Sequence, residues 1–598
     1  MKKFLVWLLA ICLMFGAVGL GSPLAEAIAA DGTYEGSAEG MMGDVPVTVV
    51  VSGGEITEIT IGEHNESPGI SDAAIEGIPA AIIEAQSVDV DDVAGATVTS
   101  EAIKEAVAAA LSGAASAQEA SFLDSIAIEP DVIVVGAGMA GLVSAVKTAE
   151  LGANVLVLEQ NFRPGGSVLF AGGSISGTGF KIQKEAGIED SPEQFYADFV
   201  RLSGGEDFNV AVAKKHTERS GEAIDWLMDE VGVDFGDEYR LDTGSYEPMY
   251  PDRVTYALAM SPSGGGLGYL DALLPKLEEY IEQGNAQLIL NTEVTDVIVE
   301  DGNIVGVMVG EDEVRAPSTI IATGGYGYSE EWLLEYNFTQ VTSMEPPTAT
   351  GSGYNFARKA GAAFDKMEYC ACYAGAIPVS GFQATLTANT AYPGAILVNK
   401  AGERILNEST ATTKDKSVAY TEAEDNLVYV VLSESMMTDD VNLINGAMGA
   451  GAVDSQAKFD ELLEEGKWIF KADTIEELAA AIGAGNLGAT IEKYNEDAAA
   501  GTDSVFGRTE NLVAFEDGPF YAIYTVPYVL MTQGGPRIND EAQLVREDGT
   551  VVGGAYLAGE IIGSANVTGD TTIGGIGHGL CATWGIIAAE NAVANAGK

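Results

Sequence analysis

Residues 131–141 read Asp131-Val-Ile-Val-Val-Gly136-Ala-Gly138-Met-Ala-Gly141, an apolar run that ends in three glycines. The apolar run predicts a buried strand, and residues 142–150 predict a helix that follows the glycines directly. A second apolar run over 154–158 ends in Glu159, at about the 20-residue spacing of a dinucleotide-binding unit. This order of strand, glycine turn, helix and acidic strand end predicts a Rossmann-like domain.

Each residue of this motif has a physical task in holding a dinucleotide. Gly136 makes the tight turn, Gly138 lets the backbone approach a pyrophosphate, and Gly141 allows close packing of the helix. The helix N-terminus favours the phosphates, and Glu159 accepts a hydrogen bond from the adenosine ribose. A glycine turn that binds no ligand is the simpler alternative, but the complete context of the motif favours a nucleotide.

Further glycine clusters favour FAD over NAD as that nucleotide. A flavin dinucleotide held in the protein needs close backbone approach along its whole length, and a single NAD loop does not supply this. The residues predicted to hold FAD outside the first turn lie in five clusters along the chain: Gly166 and Ser167, Gly173, Thr323-Gly324-Gly325, Glu560, and Gly574-Gly575.

Composition excludes several classes of function. The chain has 598 residues, 30 Lys and Arg against 89 Asp and Glu, and a formal net charge of −59. Such a charge excludes nucleic acid and anionic membrane surfaces as partners. The cysteines Cys370, Cys372 and Cys581 are too few for a disulfide framework. Cys370-Ala-Cys372 has no second pair to complete a metal site, so no metal is predicted.

The chain divides into several segments. Residues 1–30 combine a basic start, an apolar run and small residues, which predicts a Sec-type signal peptide, with an uncut membrane anchor as the alternative. A small α+β domain is predicted over 31–112 and a linker over 113–125. An α/β domain is predicted over 126–366 and 532–598. A segment with several helices and few long strands, over 367–531, is predicted to be inserted into it.

The N-terminal domain resembles the FMN-binding domain of bacterial respiratory flavoproteins. The resemblance rests on 31–36, on 64–69 and on Asp91-Asp-Val-Ala-Gly-Ala-Thr97 with the helix after it. It implies FMN bound covalently, as a phosphoester on Thr97, and a flavin transferase that attaches it. Ala94 departs from the Ser or Thr that the family has at this position. A helix cap without a ligand is the alternative.

The rest of the chain resembles the flavoprotein subunit of soluble fumarate reductases and urocanate reductases. The supporting stretches are 322–327, 349–353, 398–404 and Ala558-Gly-Glu560. The resemblance implies an α/β fold: a Rossmann-like domain with non-covalent FAD and an inserted α+β capping domain, preceded by the FMN-binding domain. It also implies hydride transfer between flavin N5 and an activated C=C bond.

The positions that bind substrate in this family differ in the present chain. Two clamp histidines fall on Tyr373 and Met531, and the clamp arginine falls on Thr572. The acid and arginine of the proton relay fall on Ala388 and Ala391. Loss of these fixed donors removes what a dicarboxylate needs. The predicted substrate is therefore an uncharged or monoanionic enone or enoate, and fumarate is disfavoured.

The proton donor must then be another group. Tyr373 is the first candidate, because a phenol beside the flavin can donate to the substrate. Lys414 is the second, in Thr412-Thr-Lys-Asp415, which matches the family's Thr-Thr-Arg-Asp with two extra residues. Tyr420 and Tyr256 are more distant alternatives. A packed tyrosine or a surface lysine is the structural alternative for each, and His216 and His578 are predicted to be structural.

These features predict an exported reductase of a C=C bond, fed by electron transfer from FMN to FAD in anaerobic respiration. Its expected partners are a small unsaturated substrate and a membrane or extracellular electron donor, with an extracellular, envelope or periplasmic location. Two alternatives stay open. One is an FAD-dependent dehydrogenase of the ketosteroid type, and the other is a non-catalytic electron-transfer flavoprotein.

Overall fold

A computed structural model describes most of the chain. The described residues are 32–52, 55–62, 64, 66, 71–88, 90–93, 96–111, 122–235, 240–241, 254–256, 265–379, 385–411, 413–438, 440–446, 453–569 and 573–598. The predicted signal peptide and Thr572 lie outside them. The chain forms two compact units, Met1–Ser121 and Phe122–Lys598. The break between the units falls at residues 121 and 122.

The first unit is a three-stranded antiparallel sheet covered by two helices. Its elements are β1 (Gly32–Glu39), β2 (Asp44–Ser52), β3 (Glu55–Ile61), α1 (Asp72–Ala85) and α2 (Thr97–Leu111). Helix α2 packs on β1 and β2. The helix can approach β1 closely because Gly36 has no side chain. A Cβ atom at this position would overlap the Ala106 carbonyl oxygen. The alternating valines of β2 are part of the core of this unit.

The second unit contains a six-stranded sheet in the order β24-β25-β13-β4-β5-β9. Its strands are β4 (Val132–Val135), β5 (Val155–Leu158), β9 (Ala286–Ile289), β13 (Ser318–Ile321), β24 (Gln543–Val545) and β25 (Val551–Leu557). Strands β25, β13, β4, β5 and β9 run parallel, and β24 is antiparallel at the edge. Residues far apart in sequence thus form one Rossmann-like sheet.

Short strands and helices surround this sheet. A three-stranded sheet consists of β10 (Asp296–Glu300), β11 (Asn303–Val309) and β12 (Asp312–Arg315). Asp301 and Gly302 have φ of 49° and 79° and form the turn between β10 and β11. Smaller pairings join β6 (Ile175–Ser176), β7 (Arg240–Leu241) and β8 (Val254–Tyr256), and β15 (Phe364–Asp365) with β23 (Gly535–Pro536).

The described FAD-binding part contains nine α-helices. They are α3 (Met139–Glu150), α4 (Lys181–Glu185), α5 (Pro192–Ser203), α6 (Val210–Trp226), α7 (Leu267–Gln283), α8 (Glu330–Glu335), α9 (Ser352–Lys359), α14 (Ala565–Thr568) and α15 (Ile576–Asn595). The side chains of Ser191, Asn209 and Ser329 cap the N-termini of α5, α6 and α8. Helix α15 packs against α3 and α6, and all three contribute to one large core.

The inserted part is built on an eight-stranded sheet with its own core. Its strands are β14 (Thr342–Ser343), β16 (Cys370–Ile377), β17 (Leu386–Ala388), β18 (Ile396–Asn399), β19 (Val428–Ser433), β20 (Ile444–Gly446), β21 (Ile469–Ala472) and β22 (Phe520–Thr532). Its helices are α10 (Thr413–Glu422), α11 (Ser455–Glu465), α12 (Ile475–Ile482) and α13 (Leu487–Ala500). Of these strands only β16 and β22 are longer than six residues, in agreement with the expectation of few long strands. Strand β22 has 13 residues and pairs with β14, β16, β19 and β21.

Candidate functional site

The glycine turn between β4 and α3 has the geometry of a phosphate loop. Gly136 has a φ of +97°, and a side chain on Gly141 would overlap the Gly136 carbonyl oxygen. These two glycines therefore let the turn fold back on the first turn of α3. Gly138 precedes α3 directly, and the nearest atom to a methyl group placed on it is Gly165 O at 3.7 Å. The backbone at Gly138 thus stays open to a ligand.

Glu159 lies at the end of β5 and is 5% exposed. Its Oε2 accepts from the Ala137 N–H at 2.6 Å, and its Oε1 accepts from the Asn161 backbone and side-chain N–H groups at 2.9 Å each. Burial raises the pKa of this carboxyl, while these donors lower it. The contacts hold the carboxyl of Glu159 against the glycine turn, where a ribose hydroxyl would donate to it.

The next glycine cluster lies beside the first. Gly138 and Gly165 form a parallel bridge, and Gly165 N donates to Ala137 O at 2.9 Å. Gly166 has a φ of +52° and Ser167 is exposed. Gly173 lies further along, and its carbonyl accepts from the Tyr269 hydroxyl at 2.8 Å. The backbone of this segment therefore continues from the phosphate turn, as a long dinucleotide requires.

The cluster Thr323-Gly324-Gly325 follows β13 at the same edge of the sheet. The Thr323 hydroxyl is buried and has no hydrogen-bond partner among the described residues. Gly324 has a φ of +76°. Gly325 lies against Glu560, whose Oε1 accepts from the Thr532 N–H at 2.8 Å and from the Thr532 hydroxyl at 3.0 Å. Thr532, the last residue of β22 in the inserted part, thus contacts Glu560, which is predicted to bind the cofactor.

Gly574 and Gly575 stand directly before α15. Gly575 has a φ of +77°, and its carbonyl accepts from Ser176 N at 3.2 Å. His578 lies in the first turn, where its Nδ1 is 2.7 Å from the Ser174 carbonyl oxygen and its ring stacks on Tyr269. Burial lowers the pKa of His578 to about 4. These contacts agree with the structural role predicted for His578.

These residues fit FAD as a bound cofactor. Two long helices, α3 and α15, begin at glycines beside this sheet, and helix N-termini favour phosphates. Glu159 lies at the position of the ribose acceptor, and the unpartnered Thr323 hydroxyl and the Glu560 carboxyl offer further polar contacts. Gly136, Gly138, Gly141 and Glu159 would therefore hold the adenosine diphosphate half.

Thr97 is the first residue of α2 and is exposed. Its hydroxyl has no hydrogen-bond partner in the described part of the first unit. The two neighbouring hydroxyls are occupied: Thr99 Oγ1 donates to Glu66, and Ser100 Oγ donates to Ala96 O at 2.9 Å and accepts from Val93 N at 3.1 Å. Of the three, only the Thr97 hydroxyl is free to carry a phosphoester.

Tyr373 and Met531 lie on neighbouring strands. On β16 and β22, Tyr373 stands opposite Tyr528, Ala371 opposite Met531, and Cys370 opposite Thr532. Tyr373 is 9% exposed, and its ring stacks on Tyr528 at 5.3 Å between centroids. Three residues of strand amount to about 10 Å. Tyr373 therefore lies about 10 Å along β16 from the residue opposite Thr532.

The other candidates are placed less closely. Lys414 belongs to α10, but its side chain and those of Tyr256, Cys370 and Cys372 lie outside the described residues, as does all of Thr572. Tyr420 is buried on α10, its hydroxyl lies 2.8 Å from Thr525 Oγ1, and burial raises its pKa. Ala388 is buried on β17 and Ala391 is exposed. Neither can relay a proton, because alanine has no ionisable group.

Sequence reasoning missed Lys416 and Glu345. Lys416 lies one helical turn before Tyr420 on α10, which packs on β16 and β22. Its side chain is partly buried and has no ion pair among the described residues, and burial lowers its pKa. Glu345 is 2% exposed beside Glu560. The sequence alone shows only the residue types at these two positions. Their burial is visible only in the structure.

Other candidate features carry no chemistry. His216 is buried beside Phe195 and Phe199, and burial lowers its pKa to about 3. Within the described ranges, no three His, Cys, Asp or Glu side chains are grouped so that they could bind a metal ion. None of the described helices is long and apolar enough to span a membrane.

Comparison with known families agrees with this geometry. Residues 131–577 match the family model of the FAD binding domain, and residues 40–112 match that of the FMN-binding domain. The chain belongs to the FAD binding domain family and has an FMN-binding domain before it.

Three curated relatives illustrate the range of this family. The chain is 29% identical to the NADH:acrylate oxidoreductase of Vibrio harveyi over 94% of this chain and 61% of that protein, so it spans less than two thirds of that relative. It is 29% identical to the urocanate reductase of Eggerthella lenta over 89% of this chain and 87% of that protein. It is 28% identical to the 3-oxosteroid 1-dehydrogenase of Mycolicibacterium smegmatis over 78% of this chain and 98% of that protein.

Among solved structures, the open conformation of a flavocytochrome c3 fumarate reductase is similar, with a TM-score of 0.57. It is 24% identical and covers 90% of this chain and 88% of that chain. At this identity the likeness shows the fold alone. The predicted arrangement of a Rossmann-like FAD-binding domain with an inserted α+β domain, after a small FMN-binding domain, is confirmed.

Proposed function

We propose that the protein is an FAD-dependent reductase of an activated C=C bond in a small enoate or enone. The observation that carries this proposal is the junction of β22 with the FAD site. Thr532 binds Glu560, while the preceding residues of β22 pair with the strand that carries Tyr373. The end of β22 in the inserted sheet therefore lies beside the glycine clusters of the six-stranded sheet.

Fumarate is disfavoured as the substrate. The candidate positions carry Tyr373 and Met531, which offer one hydroxyl and a thioether in place of two imidazoles. Met344 and the stacked Tyr528 contribute apolar surface to the same cluster as Tyr373. A substrate with at most one carboxylate and a larger apolar part suits such a surface better than a dicarboxylate.

In the proposed reaction, FAD when bound supplies the hydride that adds to one carbon of the double bond. The protein must supply the proton for the neighbouring carbon. We assign this proton to the Tyr373 hydroxyl, with the Lys414 ammonium as the alternative donor. The stack on Tyr528 holds the Tyr373 ring in one orientation, which a general acid needs. Gly138 and Glu159 would bind and orient the cofactor.

The electron supply and location are part of the same proposal. FMN carried as a phosphoester on Thr97 by a flavin transferase would receive electrons from a membrane or extracellular donor and pass them to non-covalent FAD. A Sec-type leader over 1–30 would export the chain to an extracellular, envelope or periplasmic site in anaerobic respiration. The free hydroxyl of Thr97 at the start of α2 supports the attachment.

A dehydrogenase that introduces a C=C bond is the second candidate, favoured by the identity to the 3-oxosteroid 1-dehydrogenase. That match covers 78% of this chain, whereas the matches to the acrylate and urocanate reductases cover 94% and 89%. The longer matches must extend beyond the FAD-binding part into the FMN-binding domain. An attached carrier suits the intake of electrons, so reduction is favoured.

Anaerobic turnover with reduced viologen tests the proposal. A panel of enoates, enones and fumarate is offered, and oxidation of viologen is followed by absorbance. Turnover of a monocarboxylate or uncharged substrate above fumarate is expected. Oxidation of saturated ketosteroids with an artificial acceptor, without reductase activity, would favour the dehydrogenase. A protein that keeps both flavins and turns over no substrate would be an electron-transfer module.

A further inference from the structure

Two carboxyl groups meet behind the third glycine cluster. Glu345 follows β14, and Glu560 follows β25. A methyl group on Gly325 would overlap Glu560 Oε1 and Thr532 Oγ1 and would lie 2.9 Å from Glu345 Oε2. A methyl group on Gly327 would overlap Glu345 Oε1. The glycines of this loop therefore leave room for a buried pair of acids.

The two acids have unequal hydrogen-bond partners. Glu560 accepts from the N–H and the hydroxyl of Thr532. Glu345 accepts a long hydrogen bond from Gly327 N at 3.3 Å with Oε2, and its Oε1 has no partner among the described residues. No lysine, arginine or histidine of the described chain is within ion-pair distance of either carboxyl. Two negative charges in this position would lack compensation.

The balance of donors indicates where a proton resides. Burial and the neighbouring Glu560 charge raise the pKa of Glu345 well above its usual range. Burial also raises the pKa of Glu560, but the Thr532 donors favour its charged form. A neutral Glu345 can donate one hydrogen bond to Glu560, so the pair holds one proton and one negative charge.

We propose that Glu345 is a positioning residue, which through one shared proton holds the Glu560 carboxylate in place for FAD. The proposal rests on the proposed non-covalent FAD at the glycine clusters. Without the shared proton, two adjacent carboxylates would repel each other and the diphosphate of the cofactor. Held in this way by Thr532 and Glu345, the Glu560 carboxylate would be available to accept a hydrogen bond from bound FAD.

This arrangement links FAD affinity to pH. FAD adds negative charge, so the bound state keeps the shared proton to a higher pH than the free protein does. Affinity in the wild type falls as pH rises through the titration of the pair, by up to about tenfold per pH unit. A glutamine at position 345 donates a similar hydrogen bond but has no proton to lose.

The ionisable groups that lie near Glu345 and Glu560 do not change their protonation between pH 6 and 9. Cys581 on α15 faces Glu560, and burial raises its pKa to about 12. His578 and Tyr269 lie beyond it: burial lowers the pKa of His578 to about 4 and raises that of Tyr269 well above its usual value. Between pH 6 and 9 these three groups keep one protonation state, so the shared proton is the local group that can respond.

The experiment is a fluorescence titration of the full-length apoprotein with FAD at pH 6, 7, 8 and 9. The wild type is expected to bind FAD more weakly at pH 9 than at pH 6, by up to about tenfold per pH unit, and Glu345→Gln to change less than about twofold. Glu331→Gln, the same substitution at an exposed site on α8, should retain the wild-type dependence. A Glu345→Gln variant that follows the wild-type curve would overturn the proposal.

A second measurement needs no FAD. In the apoprotein, Glu345 retains a proton that the unfolded chain releases above pH of about 4.5, so wild-type stability falls as pH rises until the raised pKa is reached. Glu345→Gln should lose this slope in thermal unfolding, and equal slopes would overturn the shared proton. Failure of the wild type to bind FAD at every pH would contradict the cofactor proposal, and the slope would still decide on the pair.

Discussion

Tyr373 is the residue at which this chain departs most clearly from the reductases it resembles. The family resemblance predicts a clamp histidine at this position, and the ring of Tyr373 stacks on Tyr528 of the neighbouring strand. A buried phenol in this position can donate a proton or pack against an apolar substrate, and a variant that keeps the ring separates the two roles.

Tyr373→Phe is expected to lower kcat by about 10²–10⁴-fold with unchanged flavin content, because it removes only the acidic proton. Steady-state kinetics with reduced viologen measure kcat and KM separately. Tyr528→Phe is the matched control on the same stack, and a much smaller effect is expected.

Full activity of Tyr373→Phe together with an inactive Lys414→Ala would assign the acid to Lys414. Lys416→Met adds a third arm, since Lys416 is the partly buried lysine of the same helix. If fumarate proves to be the best substrate, the argument from the missing clamp fails whichever residue is the acid.

Thr97→Ala is expected to lose FMN and keep FAD. The hydroxyls of Thr99 and Ser100 are already bound within the domain, so they cannot replace it without breaking those contacts. The protein is co-expressed with a flavin transferase, and the flavin that stays attached after acid denaturation is measured. Such a variant should still reduce substrate with small artificial donors that reach FAD directly.

Attached flavin that persists in Thr97→Ala and maps to Thr99 or Ser100 would show that the motif was aligned wrongly. Thr99→Ala is the matched control and should retain covalent FMN.

At the scale of elements, a buried cluster of ion pairs connects residues 404–408, which precede α10, with residues 503–508. Glu408 accepts from Arg404 at 2.6 Å and from Arg508 at 3.3 Å, and Arg404 also pairs with Asp503 at 3.0 Å. All four side chains are at most 5% exposed. The cluster therefore fixes the start of the helix that carries Lys414 and Lys416.

Glu408→Gln is expected to destabilise the inserted part by about 3–5 kcal/mol, because it leaves the buried guanidinium of Arg508 without its carboxylate and removes one of the two carboxylates that pair with Arg404. Thermal and urea unfolding measure the loss. Glu424→Gln removes an exposed pair with Lys400 and should cost less than about 1 kcal/mol. Equal effects of the two variants would mean that burial of the cluster adds nothing.

At the scale of the whole molecule, stability should fall in acid for a specific reason. Burial lowers the pKa of His216 to about 3, so the folded protein excludes a proton that the unfolded chain binds below pH of about 6.5. The unfolded state is therefore favoured by about 1.4 kcal/mol for each pH unit between about 6.5 and 3.

Thermal unfolding of His216→Leu between pH 7 and 4 tests this expectation. The variant should lose less stability on acidification than the wild type, since leucine has no proton to gain among Phe195 and Phe199. The comparison between the two proteins removes the contribution of the many carboxyl groups, which titrate in both. Parallel curves would show that His216 does not control acid stability.

Local sequence patterns were enough to predict the Rossmann-like unit and its glycine turn. The period of apolar residues and the backbone freedom of glycine act over a few residues, and they survive in any tertiary context. Thr97 could likewise be predicted from a short motif, although only the occupied hydroxyls of Thr99 and Ser100 distinguish it from its neighbours.

The long pairings of β22 and the meeting of Glu345 with Glu560 could not be predicted from local pattern. Register between distant strands depends on which faces are buried together, and a carboxyl's protonation depends on neighbours far away in the chain. The family resemblance singled out the position of Tyr373, but nothing in the sequence indicated that its ring stacks on Tyr528, 155 positions later. Burial and charge at this junction are properties of the folded chain, so tertiary structure alone sets the chemistry of the site.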